Sequence, residues 1–295
     1  MDNNFCVRVK GLTKKYSKFT LGGIDTDFPM GFSTALIGAN GAGKTTLIDV
    51  MCGVTPATSG SAEYFGGGDI SDDAVRERIG YCASSSFFPQ GWNARDIAIS
   101  MELAYKGFDR KKFAELCEKF EVDSENTSRP RAMYKQSDGN RMRTSLAAVF
   151  ARKTDLLVLD EPGSSLDPLM RDRLCDRMRE YLEDGNGGRS IIFSTHNIAD
   201  MENAADYAVF MDKGKVIEQG FVEDLKDKYV VACGEAADFD RAKPLLMSHD
   251  SGRTMFSGLA LAENAAKLAQ CGAESERPTL QQLSVGLLRY AEENR

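Results

Sequence analysis

Histidine is nearly missing from this chain: its 295 residues contain two, His196 and His249. Structural metal centres draw on clustered imidazoles and thiolates, so no such site is expected. The seven cysteines (6, 52, 82, 117, 175, 233 and 271) are odd in number and scattered. That is neither a disulfide framework nor a zinc ribbon, and it fits reduced thiols in the cytoplasm. No apolar run approaches the roughly 18–20 residues that a bilayer span needs. The start, Met1-Asp2-Asn3-Asn4-Phe5, lacks the basic and apolar regions of a secretory signal. Basic residues are outnumbered, 37 against 44 acidic ones, for a net charge of −7. This argues against a sequence-independent nucleic-acid binder, which needs a basic face to displace counterions. Proline is sparse, eight against 27 glycines, as in chains whose loops turn tightly between regular elements. What remains, 42% hydrophobic and 27% charged, is ordinary for a folded soluble chain of one or two domains.

The first stretch reads as strands. Residues 5–10 alternate, and Ser33-Thr34-Ala35-Leu36-Ile37 is a short apolar run that stops at glycine, as a buried strand does. Helical spacing follows over 45–52, then a turn at 56–60 and a strand over 61–65. Between about 84 and 152 the pattern predicts helices at 94–105, 110–120 and 139–150. Apolar strand-like runs return at 156–159, 190–193 and 207–211, with a helix over 168–182 that opens on proline. Strands alternating with helices imply a parallel sheet covered on both faces. Beyond Gly220 the character changes: residues 243–253 read as loop, 258–270 as an alanine-rich helix, and a last helix runs on from Arg277 through Tyr290.

The strongest chemical signal is Gly38-Ala39-Asn40-Gly41-Ala42-Gly43-Lys44-Thr45-Thr46, the G-x-x-x-x-G-K-S/T pattern between a predicted strand and a predicted helix. Backbone amides from Gly38 through Thr46 can curl around phosphate oxygens, and the helix N-terminus adds partial positive charge. Lys44 supplies a full charge to the β- and γ-phosphates, and Thr45 offers a hydroxyl to magnesium. The second signal is Leu156-Leu157-Val158-Leu159-Asp160-Glu161-Pro162, a buried strand whose tip carries two acids. Asp160 is placed to hold the metal and Glu161 to polarise the attacking water, since phosphoryl transfer mainly needs positioning and charge stabilisation.

On these motifs, residues 1 to about 225 resemble the nucleotide-binding subunit of an ATP-binding cassette (ABC) transporter of the drug- or peptide-exporter (ABC-2) type. Further motifs follow in the family's order. Gly163-Ser164-Ser165-Leu166-Asp167-Pro168 is similar to the loop that crosses the dimer interface, the D-loop. Ser194-Thr195-His196-Asn197 is similar to the switch histidine, whose imidazole contacts the γ-phosphate. Tyr16 stands where the family stacks a ring on adenine. The family signature aligns on Gln136-Ser137-Asp138-Gly139-Asn140; Ser137 and Gly139 bring a hydroxyl and an amide to the nucleotide of the opposite subunit. Asp138 departs from the pattern, and its charge weakens that contact. Ser84 stands where the family has a glutamine that reaches the metal; either a water fills the gap or Gln90 serves from a shifted loop.

The resemblance implies an α/β P-loop NTPase: a parallel-sheet core, an antiparallel β subdomain, a helical subdomain over about 84–152 and a small C-terminal extension. The domains would be 1–225, binding nucleotide, and 226–295, an accessory extension. It implies ATP and Mg2+ as cofactors, Lys44, Glu161 and His196 as catalytic residues, and an ATPase that powers export through a separate integral membrane permease. The subunit would lie at the cytoplasmic face of the membrane, as a homodimer or a heterodimer with a second ABC ATPase, without nucleic acid. Phe87, Phe88 and Trp92 either meet a helix of the permease or pack the helical subdomain. The rival function is a soluble ABC-type ATPase or nucleotide-dependent regulator; Ser84 and Asp138 favour a regulator, while intact Glu161 and His196 oppose it.

Overall fold

The computed structural model describes residues 4–85, 88–122 and 131–294. The chain opens with β1 (Phe5–Lys15), β2 (Thr20–Pro29) and β3 (Ser33–Ile37), then α1 (Lys44–Met51), β4 (Ser59–Tyr64), α2 (Asp73–Glu77) and β5 (Ile79–Cys82). Three helices follow, α3 (Ala94–Ala104), α4 (Arg110–Lys119) and α5 (Asp138–Phe150). Next come β6 (Leu156–Leu159), α6 (Pro168–Glu183), β7 (Ser190–Thr195), β8 (Tyr207–Asp212), β9 (Lys215–Phe221) and α7 (Val222–Lys228).

The central sheet has the order β5-β6-β7-β3-β8-β9. It is parallel except for β9, which returns antiparallel to β8. Strands β3, β6 and β7 are buried at every residue, the pattern of a parallel sheet with both faces covered. A second, antiparallel sheet, β2-β1-β4, lies at the N-terminal side. Helix starts follow local chemistry: Asn93 and Asp96 form a capping box at α3, Ser137 caps α5, and Asp167 caps α6 with Pro168 in the first turn. Of the aromatics between 85 and 92, Phe88 is buried in the main core and Trp92 packs against it, so these two rings build the helical subdomain. Phe87 lies outside the described residues.

The C-terminal part corrects the expectation of a loop and an alanine-rich helix. It contains β10 (Tyr229–Glu235), α8 (Phe239–Ala242), β11 (Ser248–Ser251), β12 (Met255–Leu261), α9 (Ala265–Gln270), β13 (Glu274–Glu276) and α10 (Leu280–Glu293). The strands form an antiparallel sheet, β11-β12-β10-β13, in a strand–helix–strand–strand–helix–strand sequence. Residues 258–261 are strand because they pair with β10 across the sheet, Gly258 opposite Ala232 and Leu261 opposite Tyr229. One face of this sheet buries Ala232, Phe256 and Ala260 with Leu268 of α9. On the other, Val231 and Leu259 join Leu280, Leu283 and Leu287 of α10 in the main core. No helix among the described residues is long and apolar enough to cross a membrane.

Candidate active site

The site grows from the ends of neighbouring parallel strands. Beyond β3 the chain runs through the glycine loop to Gly43, the residue before α1, whose φ of 104° suits glycine and few other residues. A β-carbon there would also stand 2.8 Å from the Phe19 ring. Lys44 is 5% exposed, and its Nζ donates to the carbonyls of Gly38 (2.8 Å) and Ala39 (3.3 Å). The same ammonium lies 3.3 Å from Glu161 Oε1. Thr45 Oγ1 donates to Asp160 Oδ2 at 3.0 Å.

Asp160, at the tip of β6, is fully buried, and its amide donates to the Cys82 carbonyl. Its other oxygen accepts from Ser194 Oγ at 2.5 Å. Glu161 follows at a φ of 50°, its amide donating to Ser194 Oγ at 2.8 Å. Its carboxylate reaches two ways, Oε1 to Lys44 and Oε2 to His196 Nδ1 at 2.6 Å. Strand β7 thus carries Ser194 near its end and delivers His196 just beyond. A pocket of about 570 Å³ opens here, lined by the glycine loop, Lys44, Thr45, Thr46, Ser84, Glu161, Ser164 and His196.

Below the site, Asp49 accepts the Tyr81 hydroxyl at 3.0 Å. Burial pushes the Asp49 carboxyl above its ordinary range; the Tyr81 bond opposes the rise and the Asp160 charge adds to it. Burial likewise lifts the Cys82 thiol to about 12, which leaves it unreactive.

The structure brings together most of the residues singled out from sequence, with two exceptions. Tyr16 is 48% exposed beneath the Lys14 ammonium and is absent from the pocket wall; Phe19 stands there instead. Ser137 and Gly139 lie at the start of α5 and line neither the phosphate-loop pocket nor the adjoining cavity, whose walls include Gln90, Asp138, Arg141 and Ser165. Ser84 reaches the phosphate-loop pocket and Gln90 does not. At the signature, Asp138 is paired with Arg141, and Asn140 Nδ2 donates to Gln136 Oε1 at 2.9 Å. Gly139 has no room for a side chain, since a β-carbon would fall 2.6 Å from the Ser165 carbonyl oxygen. Ser194 and Phe19 are the residues that sequence reading missed. Ser194 was detectable from alternation, two residues before His196 at a strand end.

Amides, one ammonium and a helix start suit a triphosphate. Among the described residues, no group of three or more His, Cys, Asp or Glu could hold a metal by itself. The donor set instead fits magnesium, which takes one or two protein oxygens and completes its shell with phosphate and water; Thr45 and Asp160 supply oxygens of that kind.

A glycine loop between a parallel strand and a helix, with a buried acid at the tip of a nearby strand, defines a P-loop nucleotide-binding protein. Residues 21–164 match the family model described as ABC transporter. It is 29% identical to the daunorubicin resistance ATP-binding protein DrrA3 of Streptomyces coeruleorubidus, over 95% of each chain. Its fold is similar to a solved ATP-binding subunit of an ABC transporter, with a TM-score of 0.65 and 24% identity over 75% of this chain and 92% of that one. It is also similar to MJ0796, a dimeric ATP-binding cassette solved in a post-hydrolysis state with ADP and Pi. There the TM-score is 0.63 and the identity 18%, over 73% of this chain and 98% of that one.

Proposed function

We propose that this chain binds and hydrolyses magnesium-ATP as one half of a cassette dimer, and that the dimer powers export through a separately encoded integral membrane permease. One observation carries the reading: the Glu161 carboxylate is held between Lys44 and His196 at the mouth of the phosphate-loop pocket. Amides from Gly38 to Thr46 take the phosphate oxygens, and Lys44 neutralises charge on the β- and γ-phosphates. Thr45 and Asp160 would hold magnesium, with Ser84 approaching it through water, and the bound ion would neutralise the phosphate charge that builds up during transfer. Glu161 orients the attacking water and receives its proton, and the His196 ring fixes that carboxylate and faces the γ-phosphate.

Ser137 and Gly139 serve the partner subunit's nucleotide, which accounts for their distance from this chain's own pocket. ATP drives a membrane partner only through its different affinity for open and closed dimers. The likeness to the daunorubicin resistance ATP-binding protein DrrA3, the dimeric form of MJ0796 and the family match support this reading over a soluble ATPase or regulator. It places the subunit at the cytoplasmic face of the membrane, with residues 1–225 binding nucleotide and 226–295 accessory. We test it with Glu161→Gln, which is expected to bind ATP normally by calorimetry and hydrolyse it on the order of 10²-fold more slowly or worse. Undiminished turnover rejects the assignment.

A further inference from the structure

We propose that Ser194 is a positioning residue for hydrolysis: a single buried hydroxyl that sets the geometry of both acids. The proposal rests on the roles given above to Asp160 and Glu161. Ser194 is fully buried in β7 and outside the pocket wall. A hydroxyl has one proton to give and lone pairs to accept with. Here the proton goes to Asp160 Oδ1 at 2.5 Å, and a lone pair receives the Glu161 amide at 2.8 Å. The first bond commits one carboxylate oxygen and leaves Oδ2 turned to Thr45. The second anchors Glu161 at a φ of 50°, a backbone conformation that residues other than glycine seldom adopt.

The strand that carries Ser194 is itself fixed on both sides. Phe193 pairs with Leu159 on β6, so the hydroxyl takes over where that ladder ends. Ser194 pairs with Leu36 on β3, two residues before the glycine loop begins. One rigid element therefore spaces the loop strand, the two acids and His196, as a pre-organised site requires. Without the hydroxyl, a buried carboxylate oxygen and a partly buried amide lose their partner, and Glu161 loses its anchor. The phosphate cradle is untouched.

Three substitutions test this: Ser194→Ala; Ser194→Cys, which keeps the size but bonds weakly; and Ser194→Thr, which keeps the hydroxyl. At saturating ATP, the Ala and Cys variants are expected to turn over about 10- to 100-fold more slowly. Their ADP affinity by calorimetry should stay within about threefold of wild type, and the Thr variant should recover most of the turnover. On a Glu161→Gln background, Ser194→Ala should cost less than it does alone, because part of its effect runs through Glu161. If the Ala variant fails to fold, the Cys variant decides. Wild-type turnover in Ala and Cys overturns the proposal, and so does a parallel loss of ADP affinity. Equal losses in all three variants, or full additivity with Glu161→Gln, overturn it as well. Wild-type turnover in Glu161→Gln alone instead overturns the role of the base, so the two failures are told apart.

Discussion

Lys44 is a buried ammonium whose charge is compensated by two loop carbonyls and Glu161. Those partners place its charge where phosphate must sit. Lys44→Ala is therefore expected to abolish ATP binding by calorimetry and turnover with it; wild-type-like turnover rejects the site. Asp138 is the residue where the structure changes the arithmetic. Its charge stands at the signature, and the sequence alone makes it a plain repulsion toward the partner's nucleotide. In the fold it is mostly exposed and paired with Arg141, which cancels part of that repulsion. An exposed pair of this kind carries at most about 1 kcal/mol. Asp138→Gly is thus expected to raise turnover by no more than about fivefold, in a steady-state assay at low salt. An unchanged or lower rate means the charge is not inhibitory. Residue identity made the lysine and the two acids legible. It could not show that Phe19 and not Tyr16 reaches the pocket, because that is a matter of side-chain proximity.

At the scale of elements, the C-terminal helix is tied to the segment that follows the switch histidine. Glu202, in the short turn Ala199–Ala204, accepts the Leu280 amide at the start of α10 (2.8 Å) and the Lys226 ammonium (2.9 Å). Burial pushes the Glu202 carboxyl up, but the Leu280 amide and Lys226 outweigh it and hold the group below its ordinary range. A carboxylate acidified by folding stabilises the fold above its unfolded pKa, and that stabilisation fades as the pH falls through the folded value. Glu202→Gln is expected to cost about 1 kcal/mol at neutral pH, measured by denaturant melts. The gap from wild type should close as the pH drops below the ordinary glutamate range, and a gap independent of pH refutes the tie. Helices with strong periodicity and caps (α3, α5 and α6) were readable in advance. Strand β12 was not: Gly258 to Leu261 run straight into the alanines of α9, and only the pairing with β10 makes them strand.

At the scale of the whole molecule, the signature of α5 stands apart from the chain's own phosphate loop, which is the arrangement a composite site needs. If two chains complete each other, blocking hydrolysis should leave them clamped. Glu161→Gln with ATP and magnesium is expected to elute as a dimer on size-exclusion chromatography and to return to monomer when ATP is removed. A profile that ignores nucleotide rejects pairing through ATP. The tagged chain should also carry one integral membrane protein with it from gently solubilised membranes, and its recovery without any such protein counts against the permease.

The phosphate loop, the acids at a strand tip, the switch histidine and the alternating α/β order were all determined by the sequence alone. Each depends on residues adjacent in the chain, and local spacing carries that information. The antiparallel C-terminal sheet, the burial of Phe88 and the Ser194 clamp were decided only by tertiary structure. Each joins residues from separate segments, and such contacts leave no periodic trace in the chain.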